Sequence, residues 1–270
     1  MAFFDVQIDA GVATVTLNRP EKLNALNQDC WDELEPLFRR LDADRAVRVV
    51  VLRGAGRGFT AGLDLVDMMG RLPITPGGPP DGERQARLHT LIRTLQAGVT
   101  AIERCRAPVI AAIHGACIGG GVDIATACDI RLCAANANFS VRETRLAMVA
   151  DLGTLQRLPA LIGQGMTREL VFTGRDFGAE AALQMGLVNR VLPDAEALFA
   201  AADALAREVA ANPPLAVQGA KAVLNERDRF DVDRSLEYVA TWNAAHLVTQ
   251  DLGVAVTAFV TREKPEFSGR

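Results

Sequence analysis

Apolar and polar residues alternate in Val6-Gln7-Ile8 and again in Val12-Ala13-Thr14-Val15-Thr16-Leu17, with Asp9-Ala10-Gly11 between the two runs. A period of two places alternate side chains on one face of a strand, so these runs predict a β-hairpin. The chain turns at Asn18-Arg19-Pro20, and the period then changes. Trp31, Leu34, Leu37, Phe38 and Leu41 recur at helical spacing behind the candidate N-cap Asn27. That spacing predicts an amphipathic helix, which Pro36 is expected to kink or shorten. Residues 47–52 form a β-branched run, hence a buried strand, that empties into Gly54-Ala55-Gly56-Arg57-Gly58. Residues 71–82 contain Pro73, Pro76, Pro79 and Pro80, which predicts a mobile surface loop. A long amphipathic helix to about Arg104 follows, then a strand at 109–113, a glycine triplet opening a short helix, and a strand near 130–133. Strands alternating with helices predict an α/β core with parallel pairing. Beyond about Leu192 the pattern is helical only, at 197–211, 215–226, 232–246 and 251–262. Such a tail is expected to have no sheet to cover and to pack on its own core or on a neighbouring subunit.

Composition narrows the ligand class. The chain has 270 residues, 49% of them hydrophobic, enough for a sizeable core. A net charge of -4 with no Lys/Arg block argues against nucleic acid or an anionic membrane as the main partner and favours a small molecule. The 5 cysteines, Cys30, Cys105, Cys117, Cys128 and Cys133, form no Cys-x-x-Cys pair and read as small core residues. The longest uncharged apolar stretch, residues 109–122, is shorter than the roughly 18 residues a membrane span needs, so no transmembrane helix is expected. Neither end carries a targeting signature, which makes the cytoplasm the expected compartment.

Several catalytic patterns are missing. The loop at Gly54 lacks the Lys-Ser/Thr pair of a phosphate loop, and no first-strand glycine turn is followed by the acidic residue of a dinucleotide site. There is no Gly-x-Ser-x-Gly elbow, and His89, His114 and His246 lack metal-ligand spacing. Two segments after strands stand out instead: Phe59-Thr60-Ala61-Gly62-Leu63-Asp64, and Gly115-Ala116-Cys117-Ile118-Gly119-Gly120-Gly121-Val122-Asp123. Glycine lets a ligand approach the main chain, and a helix opening at Gly120 would aim free N–H groups and a positive dipole at it. Two such donors on one oxygen make an oxyanion hole, which stabilises the enolate of a thioester that has lost its α-proton. Read on spacing alone, glycine-rich strand-to-helix turns of this kind more often serve packing.

The strings Asn18-Arg19-Pro20-Glu21-Lys22-Leu23-Asn24-Ala25-Leu26, Phe59 to Asp64, Pro108-Val109-Ile110-Ala111-Ala112-Ile113-His114-Gly115, Gly119-Gly120-Gly121 and Gly153-Thr154-Leu155-Gln156-Arg157-Leu158 resemble the enoyl-CoA hydratase/isomerase (crotonase) superfamily. The resemblance implies an α/β fold, a spiral of β-β-α units over residues 1–192 that holds an acyl-CoA site. Residues 193–270 would form a C-terminal helical region that covers the site and assembles trimers or hexamers. It implies oxyanion donors at Leu63 and Gly120, an acyl-CoA site lined by Ala61, Gly62, Asp64 and Gly121, and CoA contacts from Arg57 and the Lys22 loop. Coenzyme A belongs to the substrate, and no further cofactor or metal is implied.

Hydratases of this family carry glutamates at the positions of Asp123 and Glu143 and glycine at that of Asp151. The runs from Gly119 to Asp123, Val141-Arg142-Glu143 and Ala150-Asp151-Leu152-Gly153 resemble the Δ3,5-Δ2,4-dienoyl-CoA isomerases instead. That reaction removes a proton at C2 and returns one at C6, farther apart than one carboxylate easily reaches. The resemblance therefore implies an acid–base pair of Glu143 and Asp151, Asp151 near C2 and Glu143 near C6, with the order open, supported by Asp123. From the residues alone, Asp151 could instead cap a helix at Thr154 and Asp123 could be a solvated first-turn acid. Asp64 and Asp129 read as structural rather than catalytic. Arg142 and Arg145 beside Glu143 would lower its pKa if they pointed inward. The rival readings are a 2-enoyl-CoA hydratase, with Asp151 incidental, and a CoA-thioester-binding subunit without turnover.

Overall fold

The computed structural model describes residues 2–69, 81–226 and 229–266. Strands β1 (Phe4–Asp9), β2 (Val12–Leu17), β3 (Val49–Gly54), β4 (Val109–Ile113), β6 (Ile130–Ala134) and β9 (Arg190–Leu192) form one sheet in that order; β5 (Ala116–Ile118), β7 (Asn138–Ser140) and β8 (Phe177–Gly178) form a smaller one. The helices are α1 (Gln28–Ala43), α2 (Leu65–Met69), α3 (Gly82–Arg104), α4 (Gly120–Ala127), α5 (Thr154–Ile162), α6 (Gln164–Thr173), α7 (Ala179–Gln184), α8 (Ala195–Ala210), α9 (Pro214–Glu226), α10 (Arg229–His246) and α11 (Gln250–Thr261). β4 enters the large sheet, β5 the small one, and α4 follows; β6 and β7 repeat the alternation. The expected α/β spiral of β-β-α units is therefore present.

The hairpin turns at Ala10 and Gly11, both at positive φ, which matches the twist of the strands it joins. From β2 to β9 the large sheet is parallel. Both its faces are buried, which explains the continuous β-branched runs. Val50, Leu52, Val109, Ala111 and Ile113 face the main core, shared with Leu34, Phe38 and Val99 of α1 and α3. Val49, Val51, Ile110, Ala112 and Leu132 face the other way and meet Leu198, Ala202, Ala206 and Ala210 of α8.

That second face corrects the expectation that the tail has no sheet to cover. Helix α8 covers it, and three alanines at intervals of four let its axis come close. A second correction concerns Pro36, which neither ends nor shortens α1. Asp32 and Pro36 both lie on the exposed side, so the carbonyl the proline leaves without a donor faces water. Asn27 caps this helix as expected, accepting from the Cys30 amide. All five cysteines are buried and free. The small sheet was not legible in the sequence, because its strands are only two or three residues long. Most of the predicted loop at 71–82 lies outside the described residues; its last two residues cap and open α3 through Asp81. No single helix among the described residues is long and apolar enough to cross a membrane.

Candidate active site

Two loops stitched side by side form the backbone half of the site. Thr60 pairs with Cys117 as an isolated parallel bridge, and Leu26 pairs with Leu63 in the same way. Most amides along this loop are spent on these stitches: Thr60 N–H donates to Ala116 O at 2.8 Å, Ala61 to Leu23 O at 2.9 Å, Gly62 to Thr60 Oγ1 at 3.1 Å and Asp64 to Leu26 O at 3.0 Å. Among the described residues the Leu63 amide has no protein acceptor. Gly62 sits at φ +88, and a Cβ there would lie 2.6 Å from Ile118 O, so only glycine permits the approach. On the facing segment Gly119 donates to Ser140 O at 2.9 Å. The first-turn amides of Gly120 and Gly121 are left without a protein partner among the described residues, as helix geometry dictates. Leu63 and Gly120 both line one open cavity.

Asp123, Glu143 and Asp151 line that same cavity. Asp123 lies one turn beyond Gly120 on α4 and is only 1% exposed, so it is not a solvated acid. Its Oδ1 accepts the Thr154 amide at 2.6 Å, which caps α5 from a different helix; Asp151 does not make that cap. Glu143 opens a 3-10 turn after β7, and its Oε2 is buried without a hydrogen-bond partner. Asp151 Oδ2 accepts from Asn243 Nδ2 at 2.6 Å, and its carbonyl accepts from Gln96 Nε2 at 2.7 Å.

Burial is the first cause of every shift in this trio. It raises Asp123, outweighing the Thr154 bond and the field of Arg157. It pushes Glu143 up to about 8, helped by the charges of Asp123 and then Asp151. It pushes Asp151 up to about 7, against the pull of the Asn243 bond and with Asp123 adding to the rise. Arg142 turns to Asp176, and Arg145 donates to Thr173 O at 3.2 Å, so neither pairs with Glu143.

Ala61 and Gly62 reach the cavity, whereas Asp64 and Gly121, expected there, stand behind it. Asp64 pairs with Arg19 at 2.6 Å, and its pKa is lowered: the Arg19 bond and the amides of Asp67 and Val66 overcome its partial burial. A Cβ on Gly121 would meet Thr60 Cγ2 at 2.6 Å, so its glycine serves packing. Arg57 and Lys22 are exposed and outside the cavity lining. Their loops touch, since a Cβ on Gly56 would meet Pro20 Cβ at 2.7 Å, and Asn24 Nδ2 donates to Ala55 O and Gly58 O at 2.9 Å each. Asp129 takes Lys221 Nζ at 2.7 Å and the Val109 amide, a structural role. His114 is buried against Phe199 and bonded to Gly56 O, and His89 pairs with Glu237. The His246 side chain lies outside the described residues.

Trp31, Gln96 and Asn243 were missed by the sequence reading. Trp31 and Asn243 line the cavity and Gln96 braces Asp151 from behind. Trp31 carried only a core-spacing signal. Asn243 sits in a helix whose polar face gives no local sign that it turns toward residues some ninety positions earlier.

The chain matches the family model described as enoyl-CoA hydratase/isomerase over residues 7–270. It is 44% identical over 260 residues to the peroxisomal Δ(3,5)-Δ(2,4)-dienoyl-CoA isomerase of Arabidopsis thaliana, covering 96% of this chain and 94% of that one. It is 48% identical over 248 residues to the mitochondrial enzyme of that name from Homo sapiens, covering 92% and 75%. Its fold superposes with a TM-score of 0.86, at 28% identity, on a crystal structure of an enoyl-CoA hydratase/isomerase from Pseudoalteromonas atlantica T6c, covering 98% and 100%. A glycine-lined pair of free amides facing buried acids, in a chain matched along nearly its whole length, makes this protein a member of the enoyl-CoA hydratase/isomerase family.

Proposed function

We propose that this protein isomerises 3,5-dienoyl-CoA thioesters to 2,4-dienoyl-CoA thioesters, a step in the breakdown of unsaturated fatty acyl chains. The observation that carries the reading is that two buried acids, Asp151 raised to about 7 and Glu143 raised to about 8, line the same cavity as the unspent amides of Leu63 and Gly120. The base is assigned to Asp151, whose carboxylate accepts the Asn243 amide, and the acid to Glu143, whose buried Oε2 has no donor to favour its anion. Asp151 takes the C2 proton, and the C–H electrons form the C2–C3 double bond. The 3,4 and 5,6 electrons move along by one bond, and C6 takes a proton from Glu143. The thioester oxygen gathers charge on the way and is held by the two amides. No atoms are gained or lost, and no cofactor beyond the substrate's coenzyme A is required. Asp123 stays in place as the cap of α5, and its like charge keeps its neighbours' pKa values high.

The same reading assigns Arg57 and the Lys22 loop to the CoA phosphates and residues 193–270 to an arm that completes the site. It also assigns the chain to a homo-oligomer of three or six copies in the cytoplasm. Leu215, Val223 and Leu224 on α9, each more than 70% exposed, support a buried subunit contact. Light scattering should give a mass three or six times 28.9 kDa. The relatives named as peroxisomal or mitochondrial lend the compartment no support, and fractionation of the native host decides it.

The deciding assay incubates wild type and Asp151→Asn with a 3,5-dienoyl-CoA and follows the ultraviolet band of the 2,4-dienoyl product. Wild-type turnover that the variant loses is expected. Hydration of crotonyl-CoA surviving in the variant, without diene conversion, would replace this reading with a hydratase.

A further inference from the structure

Helix α10 is the only part of the described helical tail that contributes an amide to Asp151, and it does so from a fixed position. Asn243 is buried, and its Nδ2 donates both to Asp151 Oδ2 at 2.6 Å and to Val149 O at 2.8 Å. A backbone carbonyl can only accept, so the atom shared between the two must be the nitrogen, and Asp151 must be the acceptor. Two turns earlier on the same helix, Leu236 O accepts from Gln96 Nε2 at 3.0 Å. That nitrogen also holds Asp151 O at 2.7 Å, and the Gln96 oxygen is fixed by Arg93 Nη1 at 2.8 Å. Asp151 is thus gripped at its main chain from α3 and at its carboxylate from α10.

Resting on the isomerase reading, we infer that Asn243 is the positioning residue of this site: it holds Asp151 ionised and aimed, so the C-terminal helical region supplies a working part of the acid–base set. A donor that cannot accept stabilises a carboxylate more than a carboxylic acid, because the bond to the anion is charge-assisted. The charged groups that share the cavity with Asp151 are Asp123 from α4, Glu143 from the turn after β7, and Arg142 before it, whose guanidinium is paired with Asp176. Arg157 of α5 acts at one remove through Asp123 and is paired with Glu103 at 2.8 Å. Arg93 of α3 acts through Gln96, and Glu237 of α10 is occupied by His89 and Arg93. Asp123 is therefore the charge that opposes ionisation of Asp151, Glu143 being the proton-bearing acid, and Asn243 is the side chain that acts against it.

The test compares pH profiles of kcat/KM for wild type, Asn243→Ala and the isosteric Asn243→Asp, with thermal melts confirming that each is folded. Asn243→Ala should move the acid limb up by about one pH unit, leaving it about tenfold slower than wild type at pH 6. Asn243→Asp should move it further, with kcat falling more than KM rises. Acid limbs that coincide in all three proteins, with only a uniform loss of rate, would overturn the inference and leave Asn243 a packing residue. Titration of a 13C-labelled Asp151 carboxyl reads the same shift without substrate. An inactive wild type therefore counts against the proposed reaction, whereas an unmoved Asp151 titration in Asn243→Ala counts against the role of Asn243.

Discussion

The two halves of the site are built on opposite principles. The backbone half, the loop 60–64 against the start of α4, is made of amides whose neighbours are spent on stitches between segments, and its one acid, Asp64, is held in an ion pair with Arg19 outside the cavity lining. The carboxylate half gathers Asp123, Glu143 and Asp151 from α4, a turn and a loop, and tunes them by burial and like charge. The first half depends on how closely main chains can approach and is indifferent to pH. The second depends on charge and tolerates no change of it. An enolate needs both: fixed dipoles at the oxygen, and protons that move at the carbons.

Breaking the carboxylate half should have the largest effect. Asp151→Asn and Glu143→Gln are each expected to lower kcat by about 10²–10⁴ with little change in KM, read as formation of the diene product.

Breaking the backbone half comes next. Gly62→Ala places a methyl against Ile118 O at positive φ, so the strands must separate. It should lose about 2 kcal/mol of stability or more, measured by urea unfolding, and most of the turnover. Gly120→Ala is tight only against Leu26 Cδ1 at 2.9 Å, the end of a flexible side chain, with Trp31 at ordinary contact distance, and should cost much less stability. An equal cost for both would contradict the view that main-chain approach decides this half.

Gly153→Ala probes the support beneath the carboxylates. At φ +130 its Cβ would fall 1.6 Å from Arg157 Nη1, expelling a guanidinium that bonds Leu152 O, Thr100 Oγ1 and Glu103 Oε2. Loss of the bonds made by the buried Arg157, with the half-buried Glu103 left without its cation, should cost about 2 kcal/mol, visible as a lower urea midpoint.

Protonation gives the gentlest test. kcat/KM should rise as pH passes about 7, where Asp151 ionises, and fall as it passes about 8, where Glu143 loses its proton. Both acids are raised above their unfolded values, so the unfolded chain binds fewer protons between pH 4 and 8. Their contribution to stability is complete below the unfolded pKa near 4 and is lost as pH rises through 7 to 8. Glu143→Gln should therefore narrow the drop in melting temperature between pH 6 and 9.

Much of the fold was legible because its signals are local. The alternation in β1 and β2, the Asn27 cap, and the β-branched runs of β3 and β4 each encode their element within a few residues. The short strands β5, β7 and β8 carry no period long enough to see, and only their pairing across distant segments makes them strands. The helical tail was visible as helices but not as a cover, because the alanine spacing of α8 acquires meaning only against the second face of a sheet.

The same division runs through the site. The sequence by itself determined the glycines that admit close main-chain approach, the helix start at Gly120, and the three acids that set this chain apart from a two-acid pattern. Tertiary structure alone decided what those acids are. It turned Asp123 into the cap of a helix it does not belong to, led Arg142 and Arg145 away to other partners, and brought Asn243 from α10 onto Asp151. The physical reason is that a residue's type sets what it can donate, accept or ionise. Which of these it does depends on burial and on partners tens of residues away, which exist only once the chain is folded.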